Sequence, residues 1–198
     1  MRNLIPATNI ADLHRDWTRR WHDPSLQQEP KTDPLEELIR EQHRANFELW
    51  HEEDMARAPE ATDAQLAGVK RNIDRLNQRR NDLAERIDAE LLERLPPMAP
   101  NVTLHSETPG MMIDRLSILS LKIFHTDEET RRHAAGEEHT SNNTGRLRIL
   151  REQHADLTTA LASLFSECIA GTRRFKLYRQ LKMYNDPSLN PAVYGASK

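Results

Sequence analysis

The chain has 198 residues, of which 37% are apolar, 30% charged and only 5% aromatic. It is too charged for a membrane helix, which needs about 20 consecutive apolar residues, and too apolar and regular for disorder throughout. A formal net charge of −3 offers no electrostatic case for nucleic-acid binding, and the single cysteine, Cys168, excludes an internal disulfide and any multi-cysteine metal site.

Asp12, His14, Arg15 and Asp16 interrupt any apolar region near the start, so no signal peptide is read and the expected compartment is the reducing cytoplasm. Asn9 to Trp21 reads as a short helix carrying Ile10, Leu13, Trp17 and Trp21, followed by a linker from Asp23 to Thr32. Asp33-Pro34 opens the first long helix, with Asp33 as cap, Pro34 at the first helical position and Glu36 completing a capping box; Pro59 closes it after Ala58. Thr62 and Gln65 form a second capping box. Leu66, Val69, Ile73, Leu76, Leu83 and Ile87 follow at heptad spacing, with Arg80 where the seam expects an apolar residue. Pro96-Pro97 stop this helix after Arg94.

Leu95 to Glu107 reads as an irregular loop, and Thr108-Pro109 starts the third long helix, expected to reach Gly136. Met111, Met112, Ile113, Leu116, Ile118, Leu119, Leu121, Ile123 and Phe124 make its first half apolar almost all round, the mark of a central helix. Glu137 to Gly145 reads as a connector. A fourth helix then carries Leu147, Leu150, Leu157, Leu161 and Leu164, with two more seam positions taken by His154, read as a satisfied core histidine, and Cys168, read as a small core residue. It is expected to continue, bent or split at Gly171, past Phe175, Tyr178 and Leu181 to Asp186-Pro187. The expected fold is all-α: an antiparallel bundle of four long helices with a short N-terminal helix. The divisions are 1–33 for the short helix and linker, 34–184 for the bundle and 185–198 for a loose tail.

Polar residues stand where such a bundle wants apolar ones. Ile39, His43, Asn46, Phe47, Trp50, Asp54 and Arg57 share one stripe of the first long helix. Asp114 and His125 share one side of the third, Arg115 and Lys122 another. Those two helices should run in the same direction, so the stripes can face each other and build a polar cluster inside the bundle. An unpaired buried charge costs several kcal/mol, so opposite charges should lie near. Two readings stay open: a binding or catalytic pocket, or a buried ion-pair network that sets helix register.

A divalent ion held by Asp54, Asp114 and a histidine rests on residue type alone. Glu48-x-x-His51 is half of a di-iron motif, and no second half is found. Glu85-x-x-Asp88 matches half of the magnesium site of all-helical pyrophosphohydrolases, without a partner. Ser106, Thr108 and Gly110 open the central helix, where free N–H groups with Arg115 one turn on could take a phosphate or carboxylate.

Two stretches carry a resemblance. They are Asn46-Phe47-Glu48-Leu49-Trp50-His51-Glu52-Glu53-Asp54-Met55-Ala56-Arg57, and Ser106-Glu107-Thr108-Pro109-Gly110-Met111-Met112-Ile113-Asp114-Arg115-Leu116-Ser117-Ile118-Leu119 continuing to Lys122, Ile123 and His125. Together they resemble a bacterial domain-of-unknown-function family, number 4254, over about Leu35 to Tyr184. The resemblance implies no established activity; its implied setting is among cell-envelope polysaccharide genes.

The expectation is therefore a protein that binds, and acts on, a small anionic ligand such as a sugar phosphate or nucleotide sugar. Asp54 and Asp114 would be the acid–base or metal-binding pair, assisted by His43 and His125. Asn46, Trp50, Arg115, Lys122, Ser106, Thr108 and Gly110 would bind the ligand. The alternative is a non-catalytic interaction or scaffold protein, for instance a homodimer, with Trp17, Trp21 or Phe175 on its contact surface and no cavity near Asp114.

Overall fold

A computed structural model describes residues 4–26 and 33–181. Its helices are α1 (Ala7–His22), α2 (Pro34–Met55), α3 (Asp63–Arg94), α4 (Pro109–Thr130) and α5 (Glu137–Ile169), with 3₁₀ turns at Pro24–Leu26 and His133–Ala135. Two-residue strands, β1 (Thr103–Leu104) and β2 (Arg173–Arg174), pair in parallel. The regular structure of the described residues is otherwise all helical, and no described helix is long and apolar enough to cross a membrane.

The caps act as read at Asp33, Thr62 and Thr108, but no reciprocal bond from Glu36 closes a box at Asp33. The Asp33 side chain accepts the Leu35 N–H, and Thr62 and Gln65 form a reciprocal capping box. Thr108 accepts the Met111 N–H at the start of α4. The ends differ. Helix α2 stops at Met55, and the N–H groups of Arg57 and Ala58 bond three residues back, a tighter last turn before Pro59.

The stretch from Glu137 to Gly145, expected as a connector, is helical and opens α5. Glu137 and Glu138 favour the positive end of the helix dipole, and Asn143 and Thr144 bond back to the carbonyls four residues before them. At its other end α5 stops at Ile169 rather than at Asp186. Gly171 takes φ 71°, its N–H bonds the Cys168 carbonyl, and the Thr172 N–H bonds the Glu167 carbonyl. That double closure is a Schellman motif, which turns the chain away from the helix axis. Phe175 then enters the core from extended chain, while Tyr178 and Leu181 stay exposed. The expected tail, 185–198, lies outside the described residues.

Helices α2 and α3 run in opposite directions, since Arg94 pairs with Asp33 (2.8 Å) at one end and Asn72 with Glu52 (3.0 Å) at the other. Helices α4 and α5 do the same, through Ser120 with His154 (3.3 Å) and Glu129 with His139 (2.7 Å). Helix α4 packs on all four other helices, as its all-round apolarity requires. Met112, Ile113, Leu116 and Leu121 are buried there, and α1 adds Ile10 and Trp17 to the same core. Trp17 and Phe175 are thus core residues and offer no contact surface.

Helices α4 and α3 approach closely at Gly110. A Cβ there would run into the Ala84 carbonyl oxygen of α3, a backbone atom that cannot step aside. Gly110→Ala should therefore destabilise the fold by about 3 kcal/mol. Gly145→Ala, on an exposed helical position with nothing within 4 Å, should stabilise it by about 1 kcal/mol. Urea unfolding of the two variants beside the native protein measures both.

Candidate functional site

The fully buried His43 is held at both ring nitrogens. Thr18 Oγ1 donates its one proton to the His14 carbonyl (2.8 Å), so towards His43 Nε2 at 2.9 Å it can only accept. The ring proton therefore sits on Nε2, and Nδ1 accepts from Ser117 Oγ at 2.7 Å. Asn46 Nδ2 gives one hydrogen to Ser117 Oγ (2.9 Å) and the other to Asp114 Oδ1 (3.0 Å). One directed chain of neutral groups thus runs from Asp114 through α2 and α4 to the backbone of α1. Burial pushes His43 down to about 3, so it stays uncharged at neutral pH. With no exposure and both nitrogens occupied, His43 joins helices inside the core.

Asp114 also accepts from Gln42 of α2 and faces Arg80 Nε of α3 at 3.4 Å. Burial raises its pKa, while Arg80, Asn46 and Gln42 pull it down. Arg80 is the polar interruption of the α3 seam, so the anomaly in the heptad is the counter-charge of the anomaly on α4. Arg80 Nε is itself buried without a hydrogen bond. Arg80 lines a cleft of about 310 Å³ between α2, α3 and α4, together with Asn46, Trp50, Asp54, Arg57 and Asn77.

The other expected site residues divide. Asp54 is exposed and paired with Arg57 (3.7 Å), so the carboxylates of Asp54 and Asp114 have separate cations. His125 stacks on Trp50 at 4.6 Å and an 11° interplanar angle. Burial lowers its pKa, Glu128 opposes that, and His22 and His51 add to it. Arg115 and Lys122 line a different cleft, with Gln153 and Asp156 of α5, and Arg115 is bound to Glu107 (2.6 Å).

The expected anion site at the start of α4 is filled by the chain itself. Asp88 Oδ1 accepts the Gly110 N–H at 2.6 Å and the Thr108 hydroxyl also bonds to it, while Ser106 is exposed. Burial raises Asp88 to about 6 against those two hydrogen bonds. Asp88 thus caps α4, while Glu85 accepts the Gln180 N–H. Glu48 is paired with Arg44 (3.1 Å). Cys168 is buried, and burial pushes its thiol up to about 11, unlike a nucleophile. As the side chains stand, no three His, Cys, Asp or Glu groups among the described residues converge to hold a metal ion.

The family described as a protein of unknown function, DUF4254, matches residues 36–177. The chain belongs to this family. No curated protein and no solved structure matches it. The matched span takes in α2 to α5 and every residue of the 310 Å³ cleft; the His14 and Thr18 contribution of α1 lies outside it.

Sequence reasoning missed His14 and Thr18, which share the buried face of α1 with Ile10 and Trp17 at helical spacing. It also missed Asn77, which carried no signal of its own. His14 is fully buried, stacks on His43 at 4.6 Å, and has no partner for either ring nitrogen. Burial, with His43 and His154, holds its pKa well below the ordinary histidine value. The unfolded chain protonates His14 below about pH 6.5 and the folded one does not, so stability falls as pH drops through that value. His14→Phe keeps the stack and removes both orphaned atoms. It should gain about 1 kcal/mol at pH 7.5 and a further ~2 kcal/mol over the native protein at pH 5. Denaturant unfolding at the two pH values measures this; equal pH slopes in native and variant would refute it.

Proposed function

We propose that this DUF4254 protein binds a small anionic ligand of sugar-phosphate size in the cleft between α2, α3 and α4. The nucleotide sugars expected from sequence share that phosphate chemistry. The carrying observation is Arg80, which lines the cleft and meets Asp114 by charge at 3.4 Å rather than by a hydrogen bond. Arg57 brings a second guanidinium, Asn46 and Asn77 bring amides, and Trp50 brings an aromatic wall. A volume near 310 Å³ suits a compact ligand. The reading includes the antiparallel four-helix arrangement of α2 to α5, with α1 packed on α2, α4 and α5. Asp114 is the group that holds Arg80 in place, and Asp54 is a rim carboxylate.

The non-catalytic scaffold reading has one observation in its favour. The chain from Asn46 through Ser117, His43 and Thr18 is satisfied within the protein and needs no ligand.

A thermal-shift panel of sugar phosphates, nucleotides, nucleotide sugars and inorganic phosphate separates the two. A ligand at 100 times its Kd adds about 2.7 kcal/mol, a rise of about 5 °C or more. Arg57→Ala, at an exposed position, should fold as the native protein and lose most of that rise. Asp114→Asn, which keeps the side-chain shape, should fold and also lose it. A flat panel on well-folded protein moves the weight to the scaffold reading.

A further inference from the structure

Asn46 belongs both to the buried chain and to the cleft, and the chain decides which of its atoms a ligand meets. Its two amide hydrogens are spent. One goes to Asp114 Oδ1 (3.0 Å) and the other to Ser117 Oγ (2.9 Å). The carboxylate only accepts. Ser117 gives its own hydrogen to His43 Nδ1 (2.7 Å), so from Asn46 it too can only accept. The amide is therefore held one way round. Turned over, it would set its carbonyl oxygen against two acceptors and leave both unpaired.

Asn46 Oδ1 is the atom left over. Among the described residues nothing donates to it, yet it is not sealed inside the protein. The residue is only 4% exposed, and the opening it lines is the cleft between α2, α3 and α4. Gln42, one turn earlier on α2, is the contrast. It makes the same bond to Asp114, but its Oε1 is buried and it does not line the cleft. Arg80 lies beside Asn46, with its Nε 3.4 Å from the same Asp114 oxygen. One carboxylate thus pins two unlike groups side by side: a cation with hydrogens to give, and a carbonyl that only accepts.

We infer that Asn46 is the residue that selects for a ligand hydroxyl, its Oδ1 accepting that hydrogen while Arg80 takes the ligand's anion. The inference rests on the anion reading of the cleft and narrows it. The ionised phosphate group of an ester has only acceptors, so it suits Arg80 and leaves Asn46 unpaired. A sugar phosphate carries hydroxyls close to its phosphate and satisfies both. A ligand without them strips water from Oδ1 and returns no bond, and that penalty rejects it.

The test compares glucose 1-phosphate with cyclohexyl phosphate, which has the same ring size and charge but no hydroxyl, by calorimetry on the full-length protein. Inorganic phosphate is the third probe. The native protein should bind the sugar ester roughly tenfold or more tighter than the cyclohexyl ester. Asn46→Leu, of similar size without an acceptor, should bind the two esters alike. Arg57→Ala should weaken both and keep the preference. Circular dichroism checks folding, and if Asn46→Leu does not fold, Asn46→Ser, which draws the oxygen back from the cleft, takes its place. Three results overturn the inference and leave the anion reading standing: equal binding of the esters by the native protein, a preference undiminished in the Asn46 variant, or binding of inorganic phosphate alone. If none of the three probes binds, the anion reading fails and the inference falls with it.

Discussion

The start of α4 sits so close to α3 that no side chain fits between them, and the positions of the other polar groups follow from that contact. Gly110 donates its N–H to Asp88, and its α-carbon faces the Ala84 carbonyl. The Thr108 cap and Pro109 set the helix going at this depth. One turn further along, Asp114 comes level with Arg80 and with the amides of Gln42 and Asn46. Ser117 follows, at the height of His43. Because α4 touches all four other helices, a polar side chain on its inner faces has no water to turn to and must find a protein partner.

The partners differ in kind with depth. In the interior they are neutral: an amide, two hydroxyls and an uncharged imidazole, each donor matched to one acceptor. Such a chain avoids the desolvation of an ion pair and still joins three helices in one register. Beside this chain, charge appears where Asp114 and Arg80 meet at the edge of an open cleft. Histidine serves this design because one neutral ring both donates and accepts. The same property, with Nδ1 satisfied instead of Nε2, leaves the lone pairs of His22 and His125 bare.

Much of the fold was legible in local chemistry. The caps at Asp33, Thr62 and Thr108 act over two to three residues, and the apolar girth of α4 marked it as central. The misjudged segments were those where local signals were weak or opposed. Polar residues and a glycine between Glu137 and Gly145 resembled a loop, yet the helix absorbs Gly145 at about 1 kcal/mol. Beyond Gly171 apolar residues still recur, but a left-handed glycine ends a helix whatever follows it.

The sequence by itself determined that the protein is all-helical, where most of its helices begin, and which residues stand against the apolar pattern: His43, Asn46, Arg80 and Asp114 among them. Helical periodicity and capping are local, and a single chain displays them directly. Only the tertiary structure decided what those residues do. It gave Asp114 the guanidinium of Arg80 instead of a second carboxylate, closed His43 between Thr18 and Ser117, and filled the start of α4 with Asp88. Each outcome depends on how far one helix is shifted and turned against another. That is set by packing across the whole core, and no segment of the sequence carries it alone.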